Sequence, residues 1–309
     1  MSKNDHFISP LRYPGSKRRL SSFVSRALDL NALRPKLYIE PFIGGASVAL
    51  QLLFDEMIDQ AVLIDIDPFV ANFWNAVFFD TEWLIDQIET IEISIEKWHE
   101  FKAFSPKTKR EYALACLFLN RTNFSGILRS EVGPLGGREQ KSKYKIDCRF
   151  PRDTLVRRVE RISAHKDKIQ GIWVCSWAEG IQRIREMQAA GELPGEDVFF
   201  YFDPPFFEKA ASLYRFYFKN GDHEKLRDFL LTLEDGWILS YDASDQLSLL
   251  YGEAIRNNTN GARKRDVELI YSTGIMLGRK PTKEVIISNL DHLPAETRFW
   301  KTASGLQQE

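Results

Sequence analysis

The sequence predicts an α/β fold in which a parallel sheet is interrupted by a long, mainly helical insertion. Short apolar runs of strand length recur along the chain, and segments with helical spacing of apolar residues separate them. These apolar runs of strand length cease at about residue 76 and recur from about residue 170. We therefore predict a discontinuous sheet domain, residues 1–75 and 170–309, and an inserted domain, residues 76–169.

The elements before the insertion alternate as expected for a parallel sheet. Helical spacing and buried-strand patterns alternate along residues 20–28, 37–40, 46–54 and 61–65. Asp67 followed by Pro68 is typical of an N-cap with proline at the first helical position, so a third helix begins there. This strand–helix–strand–helix order favours parallel strands.

The elements after the insertion predict more strands and a closing hairpin. Apolar runs predict strands at residues 172–175, 198–202 and 237–240. Apolar residues from Leu226 to Leu233 predict a helix between the last two. Two late segments alternate in hydropathy and predict the hairpin, one through Val267, Leu269 and Tyr271 and one through Val285 and Ile287.

The composition is that of an ordinary globular protein: 44% of the 309 residues are hydrophobic and 28% are charged. No apolar run approaches the roughly 20 residues of a membrane helix. The first residues lead into no apolar core like that of a signal peptide. Cys116, Cys148 and Cys175 are far apart and form no metal-ligand pattern. We therefore expect a cytoplasmic protein with free thiols, no membrane contact and no bound metal.

The charge of the chain is strongly segregated, although its net value is only −1. Residues 102–168 carry 17 lysines and arginines against 7 acidic residues, whereas the rest of the chain carries 25 against 36. A basic block on an acidic body is typical of a polyanion-binding module. The alternative is a solvated helical surface, because helices often carry such runs.

The first candidate site is the glycine-containing turn after the first strand, residues 40–47. Glycines at this position let the backbone approach a ligand beside a helix N-terminus. Asp65 ends the next strand, 21 residues after Gly44, at the spacing of acidic residues that contact ribose hydroxyls. The turn lacks the G-x-G-x-x-G pattern, which favours an adenosine-containing ligand without a pyrophosphate. The alternative is a packing turn without a ligand.

The second candidate site is the segment Asp203-Pro204-Pro205-Phe206. The strand at residues 198–202 brings the Asp203 carboxylate to the edge of the sheet where ligands bind. The prolines fix the chain, so the carboxylate and the Pro204 carbonyl become two aimed acceptors beside an aromatic ring. This set suits a planar base with an exocyclic amino group. The alternative is an ordinary strand that ends at proline.

The order of these motifs resembles that of the Dam-type DNA adenine-N6 methyltransferase family, almost from end to end. The segments that carry the resemblance are residues 13–17 (YPGSK), 40–45 (EPFIGG), the strand ending at Asp65, 120–126 (NRTNFSG), 176–178 (SWA), 203–206 (DPPF), 239–241 (LSY) and a late strand led by 263–265 (RKR). The resemblance implies a Rossmann-like class I methyltransferase sheet with an inserted target-recognition domain. Phe206 replaces the more usual tyrosine, and Ala46 stands where the family often has a second glycine. The segment after Phe124 differs from members that read GATC.

The resemblance also implies which residues bind S-adenosylmethionine and which act on the substrate. Lys17 would lie near the methionine carboxylate, Asp65 would accept from the ribose hydroxyls and Trp177 would lie near the adenine. The implied cofactor-binding residues are Tyr13, Gly15, Lys17, Glu40, Phe42, Gly44, Gly45, Asp65, Trp177 and Asp203. The implied catalytic residues are Asp203, Pro204, Pro205 and Phe206, with the Phe206 ring stacked on the base.

The implied substrate is duplex DNA with a flipped-out adenine, which would receive the methyl group on N6. Phe124 would wedge into the duplex and Arg129 would read guanine; the alternatives are an insertion-core residue and a phosphate contact. The residues assigned to DNA are Arg121, Phe124, Arg129, Lys141, Lys143 and Lys145.

Two other functions stay open at the level of the sequence. One is N-methylation of RNA or of another planar amine, which would need no basic insertion. The other is a DNA-binding relative without catalysis, which the intact Asp203-Pro204-Pro205 segment and Lys17 argue against. A cognate restriction endonuclease, as in restriction-modification systems, and the oligomeric state are also left open.

Overall fold

A computed structural model describes residues 9–15, 17–207, 210–269 and 282–298 of the chain. Ser16 and Tyr271, which belong to two of the predicted motifs, lie outside these residues. The strands are β1 (Leu37–Glu40), β2 (Gln60–Asp65), β3 (Ile169–Val174), β4 (Val198–Phe202), β5 (Gly236–Asp242), β6 (Arg263–Leu269) and β7 (Thr282–Ser288). The helices are α1 (Ser21–Leu30), α2 (Ser47–Phe54), α3 (Pro68–Phe79), α4 (Thr81–Thr90), α5 (Ile95–Ala103), α6 (Lys109–Thr122), α7 (Arg152–Ser163), α8 (Trp177–Ala189), α9 (Ala210–Leu213), α10 (Asn220–Leu230) and α11 (Asp245–Arg256).

The strands that the structure describes form a single seven-stranded sheet in the order β3-β2-β1-β4-β5-β7-β6. The first five run parallel, and β7 lies antiparallel between β5 and β6. The predicted α/β fold with a parallel sheet and a closing hairpin is therefore confirmed. The sequence did not predict that β7 would insert between β5 and β6, because strand order is set by long-range packing.

The central strands are continuous apolar runs because both faces of the sheet are covered by helices. Along β1 and β4, successive side chains enter two different apolar clusters. Tyr38 and Phe199 face the cluster that contains α1, α2 and α3, whereas Ile39 and Phe200 face the cluster that contains residues of α8, α10 and α11. This period of two is the expected alternation of side chains along a strand.

Helices α4 to α7 lie between α3 and β3, where the sequence predicts the insertion. A capping box formed by Thr108 and Glu111 begins α6, and this helix packs along α3. Leu117, Phe118 and Leu155 of the insertion belong to the same apolar cluster as one face of the sheet. The insertion therefore shares its core with the sheet, and the two-domain division remains a proposal.

Two further observations concern the described residues as a whole. None of their helices is long and apolar enough to cross a membrane. Nor do these residues contain a group of three or more His, Cys, Asp or Glu side chains that could hold a metal ion.

Candidate active site

A cleft of about 280 Å³ lies at the carboxyl ends of the three neighbouring parallel strands β2, β1 and β4. Glu40 is the last residue of β1, Asp65 is the last residue of β2, and Asp203 directly follows β4. Because these strands are adjacent and parallel, their three carboxylates meet at one edge of the sheet. The two motifs that the sequence places at separate strand ends therefore face one cleft.

All ten residues assigned to the cofactor line this cleft. They are Tyr13, Gly15, Lys17, Glu40, Phe42, Gly44, Gly45, Asp65, Trp177 and Asp203. Pro205 lines it as well, while Pro204 is buried. Phe206 is also buried, with its ring centroid 4.9 Å from Lys17 Nζ and 5.9 Å from the ring of Tyr214.

The glycine turn is fixed by contacts on both sides of Gly44. Its N–H donates to Asp65 Oδ2 at 3.0 Å, and its carbonyl oxygen accepts from Trp74 Nε1 at 2.8 Å. Gly44 has a φ of +41°, and a Cβ atom there would lie 2.6 Å from the Tyr13 ring. Ala46, at the position where the family often has glycine, also has a left-handed backbone with φ 53°. The turn therefore needs conformations that glycine adopts most easily.

The carboxylates of the cleft are held by hydrogen bonds but strongly desolvated. Asp65 accepts a second backbone N–H, that of Asp67, at 2.9 Å, and Glu40 Oε2 accepts from the Tyr38 hydroxyl at 2.7 Å and the Ala49 N–H at 3.0 Å. Burial raises the pKa of Glu40 to about 8 and that of Asp65 to about 7. Such acceptors favour a ligand that brings hydroxyl or ammonium donors.

Asp203 is fixed by an ion pair and a hydroxyl group. Lys17 Nζ lies 3.2 Å from Asp203 Oδ1, and the Ser240 hydroxyl donates to the same oxygen at 2.9 Å. Burial raises the pKa of Asp203 to about 6, while the ammonium of Lys17 acts in the opposite direction. The Asp203 side chain is 23% exposed, so it can still receive a ligand from the cleft.

Sequence reasoning missed several residues at this site. Ser240 lies in the segment 239–241 (LSY), which indicates no role for it, and Glu284 directly precedes the apolar run of a predicted strand. The Glu284 carboxylate lies 3.3 Å from Lys17 Nζ. Tyr214 and Arg215 also line the cleft, and Arg215 Nη1 reaches Asp67 at 2.7 Å. No pattern in the local sequence indicated that Tyr214 and Arg215 would line the cleft.

The residues assigned to DNA lie mostly on the exposed part of the insertion. The Phe124 side chain is 58% exposed and is not part of the insertion core. Arg129 pairs with Glu131 at 3.1 Å, and Lys102 Nζ donates to the Arg129 carbonyl oxygen at 2.9 Å. Exposed lysines follow in the irregular segment before α7, at Lys141, Lys143 and Lys145.

Arg121 differs from the other residues assigned to DNA because it is buried, with 5% exposure. Burial and the charges of Arg12, Arg158 and Arg149 lower its pKa to about 9. Within the described part of the chain, Arg121 Nε has no hydrogen-bond partner. Burying a cation beside other cations is costly, so a nearby anion would stabilise this guanidinium.

The strand order and the acidic cleft at the carboxyl edge fit the Rossmann-like sheet of a methyltransferase. The sequence model described as D12 class N6 adenine-specific DNA methyltransferase matches residues 13–170, just over half of the chain. The chain therefore belongs to this family of adenine-specific DNA methyltransferases, and the predicted resemblance is confirmed. No curated protein matched the sequence. The family match ends before β4, so the position of Asp203 in the site is known from the geometry.

Proposed function

We propose that the protein is a site-specific methyltransferase that moves the methyl group of S-adenosylmethionine to N6 of an adenine flipped out of duplex DNA. The observation that carries this proposal is the shared cleft, in which the glycine turn and Asp65 lie beside Asp203. Methyl transfer requires the methyl donor and the accepting nitrogen to be close together and aligned. A single cleft at the carboxyl edge of the sheet can hold both in this way.

The cleft fits S-adenosylmethionine by the chemistry of its lining. Asp65 is positioned to accept from ribose hydroxyls, Glu40 adds a second carboxylate, and Phe42 and Trp177 offer apolar surface for a planar ring. The Gly44 backbone comes so close to Tyr13 that a side chain would fill the space between them. When bound, the cofactor supplies a methyl group activated by its sulfonium.

Asp203 has the properties of the group that activates the target amine. The amino nitrogen of adenine is a poor nucleophile because its lone pair is delocalised into the ring. Hydrogen bonds from its two hydrogens to the Asp203 carboxylate and the Pro204 carbonyl would favour tetrahedral geometry. They would also stabilise the positive charge that develops on the nitrogen during transfer.

The aromatic residues beside Asp203 would hold the flipped base. Unstacking an adenine costs a few kcal/mol, and stacking on an aromatic ring returns about 1–3 kcal/mol per base. We assign this stacking to Phe206, which has to become accessible because its ring is buried against Lys17 and Tyr214. Tyr214 lines the cleft and extends the aromatic surface.

The basic insertion would bind the duplex. The exposed Phe124 is suited to fill the space that the flipped adenine leaves, and Arg129 to pair with guanine. Lys141, Lys143 and Lys145 would contact phosphates, which fix position without reading sequence. Arg121 would contribute to a phosphate site together with the neighbouring arginines.

The test is methyl transfer from labelled S-adenosylmethionine to duplex DNA and to RNA of the same sequence. We expect N6-methyladenine in the DNA alone. The Asp203→Asn variant should bind the cofactor within a few fold of the parent protein and transfer no methyl group. Labelling of RNA alone would favour the alternative substrate, and a fully active Asp203→Asn variant would remove Asp203 from the mechanism.

A further inference from the structure

A buried carboxylate lies behind the proposed catalytic aspartate. Glu284 on β7 is 1% exposed, and its Oε2 lies 3.3 Å from Lys17 Nζ, the ammonium that is 3.2 Å from Asp203 Oδ1. In the β5–β7 pairing, Glu284 is opposite Asp242. Ser240, which bonds to Asp203, is on the same strand β5. Asp203 therefore lies where residues of β5 and β7 approach Lys17 of the N-terminal segment.

A second carboxylate beside Lys17 needs a reason, because removing a carboxylate from water is costly. One lysine and one aspartate already form a neutral pair. With Glu284 included, the three side chains together carry a formal charge of −1. The extra carboxylate therefore changes the electrostatics of Asp203 and is not needed to neutralise Lys17.

We propose that Glu284 is a positioning residue that holds the Lys17 ammonium against Asp203 and offsets its charge. This inference depends on the role proposed above for Asp203. Without the offset, the ammonium would oppose the positive charge that grows on the adenine nitrogen. With it, the charge of Lys17 is offset before the reaction begins, and Asp203 faces the substrate as a carboxylate held in place. Lys17 Nζ is also 4.9 Å from the Phe206 ring centroid, so the same contact supports the ring beside Asp203.

The charges around Asp203 predict the direction in which its pKa changes when Glu284 is neutralised. The Glu284 charge raises the pKa of Asp203, and the Lys17 charge lowers it. Other titratable groups that interact with Asp203 come from β1, β4, β5 and the segment after α9; they are Tyr38, Glu40, Tyr201, Tyr241 and Tyr214. Asp242 on β5 also faces Lys17 and Glu284. All of these remain when Glu284 alone is neutralised.

The test is Glu284→Gln, which keeps the shape of the side chain and removes its charge. We expect kcat at pH 8 to fall roughly tenfold, with KM for cofactor and for DNA within a few fold. The acidic limb of the kcat profile should move to lower pH, because the pKa of Asp203 falls when the nearby negative charge is lost. The matched control is Glu268→Gln on β6, whose carboxylate contacts Arg298. It should keep the parent rate and profile.

Two further variants test the inference if Glu284→Gln folds poorly. Glu284→Asp keeps the charge and should retain more activity than Glu284→Gln. In a Lys17→Met background, Glu284→Gln should cause no further loss, because Glu284 then only repels Asp203. A folded Glu284→Gln variant with parent kcat and an unmoved acidic limb would overturn the inference, as would losses that add in the double variant. An active Asp203→Asn variant would instead contradict the proposed function.

Discussion

At Asp203, the protonation state of a single carboxyl group decides whether the site can accept hydrogen bonds from an amine. Burial favours the neutral acid, and Lys17 favours the carboxylate. The Ser240 hydroxyl also stabilises the carboxylate by donating to it. The group is therefore ionised near neutral pH but not far below it.

The first prediction follows from this balance. The proposed role of Asp203 requires its carboxylate form. Because its pKa is raised to about 6, the rate of methyl transfer should be maximal above pH 7 and decline through pH 6. Below the pKa the rate should fall about tenfold per pH unit. Single-turnover rates between pH 5 and 8 measure this, with cofactor binding followed separately. A rate that stays constant down to pH 5 would show that Asp203 is not the titrating group.

Arg121 permits a second prediction, in which stability and DNA binding change in opposite directions. Its guanidinium is buried beside three other arginines, so Arg121→Met should increase the free energy of unfolding by about 1–3 kcal/mol. The same change should weaken DNA binding because the proposed phosphate site loses a cation. Urea unfolding and DNA titration measure the two effects. The control is Arg138→Met, at an exposed arginine of the insertion, which should leave stability unchanged. Loss of stability in Arg121→Met would mean that its charge is satisfied in the free protein.

At the scale of elements, the turn between β1 and α2 links the sheet to the cleft. Its backbone is tied to Asp65 at the end of β2 and to Trp74 in the middle of α3. The position of the turn in the cleft is therefore fixed by two other elements, β2 and α3. This explains why the residues of the turn must be small where they face Tyr13.

The third prediction is that Gly44→Ala disrupts this turn. The positive φ and the 2.6 Å approach to the Tyr13 ring should lower the free energy of unfolding by about 1–3 kcal/mol. Cofactor affinity should fall as well, because Tyr13 lines the cleft. Calorimetry with S-adenosylmethionine measures this. Gly195→Ala is the control, since a Cβ there meets open space. Unchanged affinity in Gly44→Ala would mean that the turn does not shape the cofactor site.

The fourth prediction concerns the loop that holds Arg129. Lys102 fixes this loop by donating to the carbonyl oxygens of Arg129 and Val132, at 2.9 and 3.1 Å. If the Arg129 side chain reads guanine, Arg129→Ala should reduce discrimination at one base pair by about 1–3 kcal/mol. Binding titrations on the cognate duplex and on single-base variants measure this. A uniform loss on all duplexes would assign Arg129 to the phosphate backbone.

At the scale of the whole molecule, the segregation of charge decides where a polyanion can bind. The basic block, residues 102–168, lies within the insertion, while the remainder of the chain is acidic. The cleft at the carboxyl edge is itself lined by carboxylates. DNA should therefore approach from the insertion side, and only the neutral target base should enter the cleft.

The fifth prediction is a steep dependence of DNA affinity on salt. The logarithm of the binding constant should fall with the logarithm of salt concentration by about 0.9 per neutralised phosphate. Replacing Lys143 and Lys145 by alanine should weaken binding to all sequences alike and flatten that slope. The matched control removes two cations at the opposite edge of the sheet, Arg34 and Lys36, just before β1. An equal change of slope in the control would disprove binding by the insertion.

The sequence by itself determined the sheet elements and most of the cleft. The strand at residues 198–202 coincides with β4, and Asp67 caps α3 as predicted. Such features depend on neighbours a few residues away, through side-chain periodicity and helix capping. The glycine turn and Asp203 could be placed at one edge because the carboxyl ends of parallel strands share an edge.

Only the tertiary structure decided the partners of the buried charges. Lys17 meets Glu284 because β7 inserts antiparallel beside β5, and no local pattern specifies that order. Phe206 and Arg121 were expected to face the substrate, yet packing buries both in the free protein. Both lie against residues distant in sequence, Phe206 against Lys17 and Arg121 beside Arg12. Periodicity shows which side of an element is apolar, whereas pairing between distant charges depends on how the elements pack together.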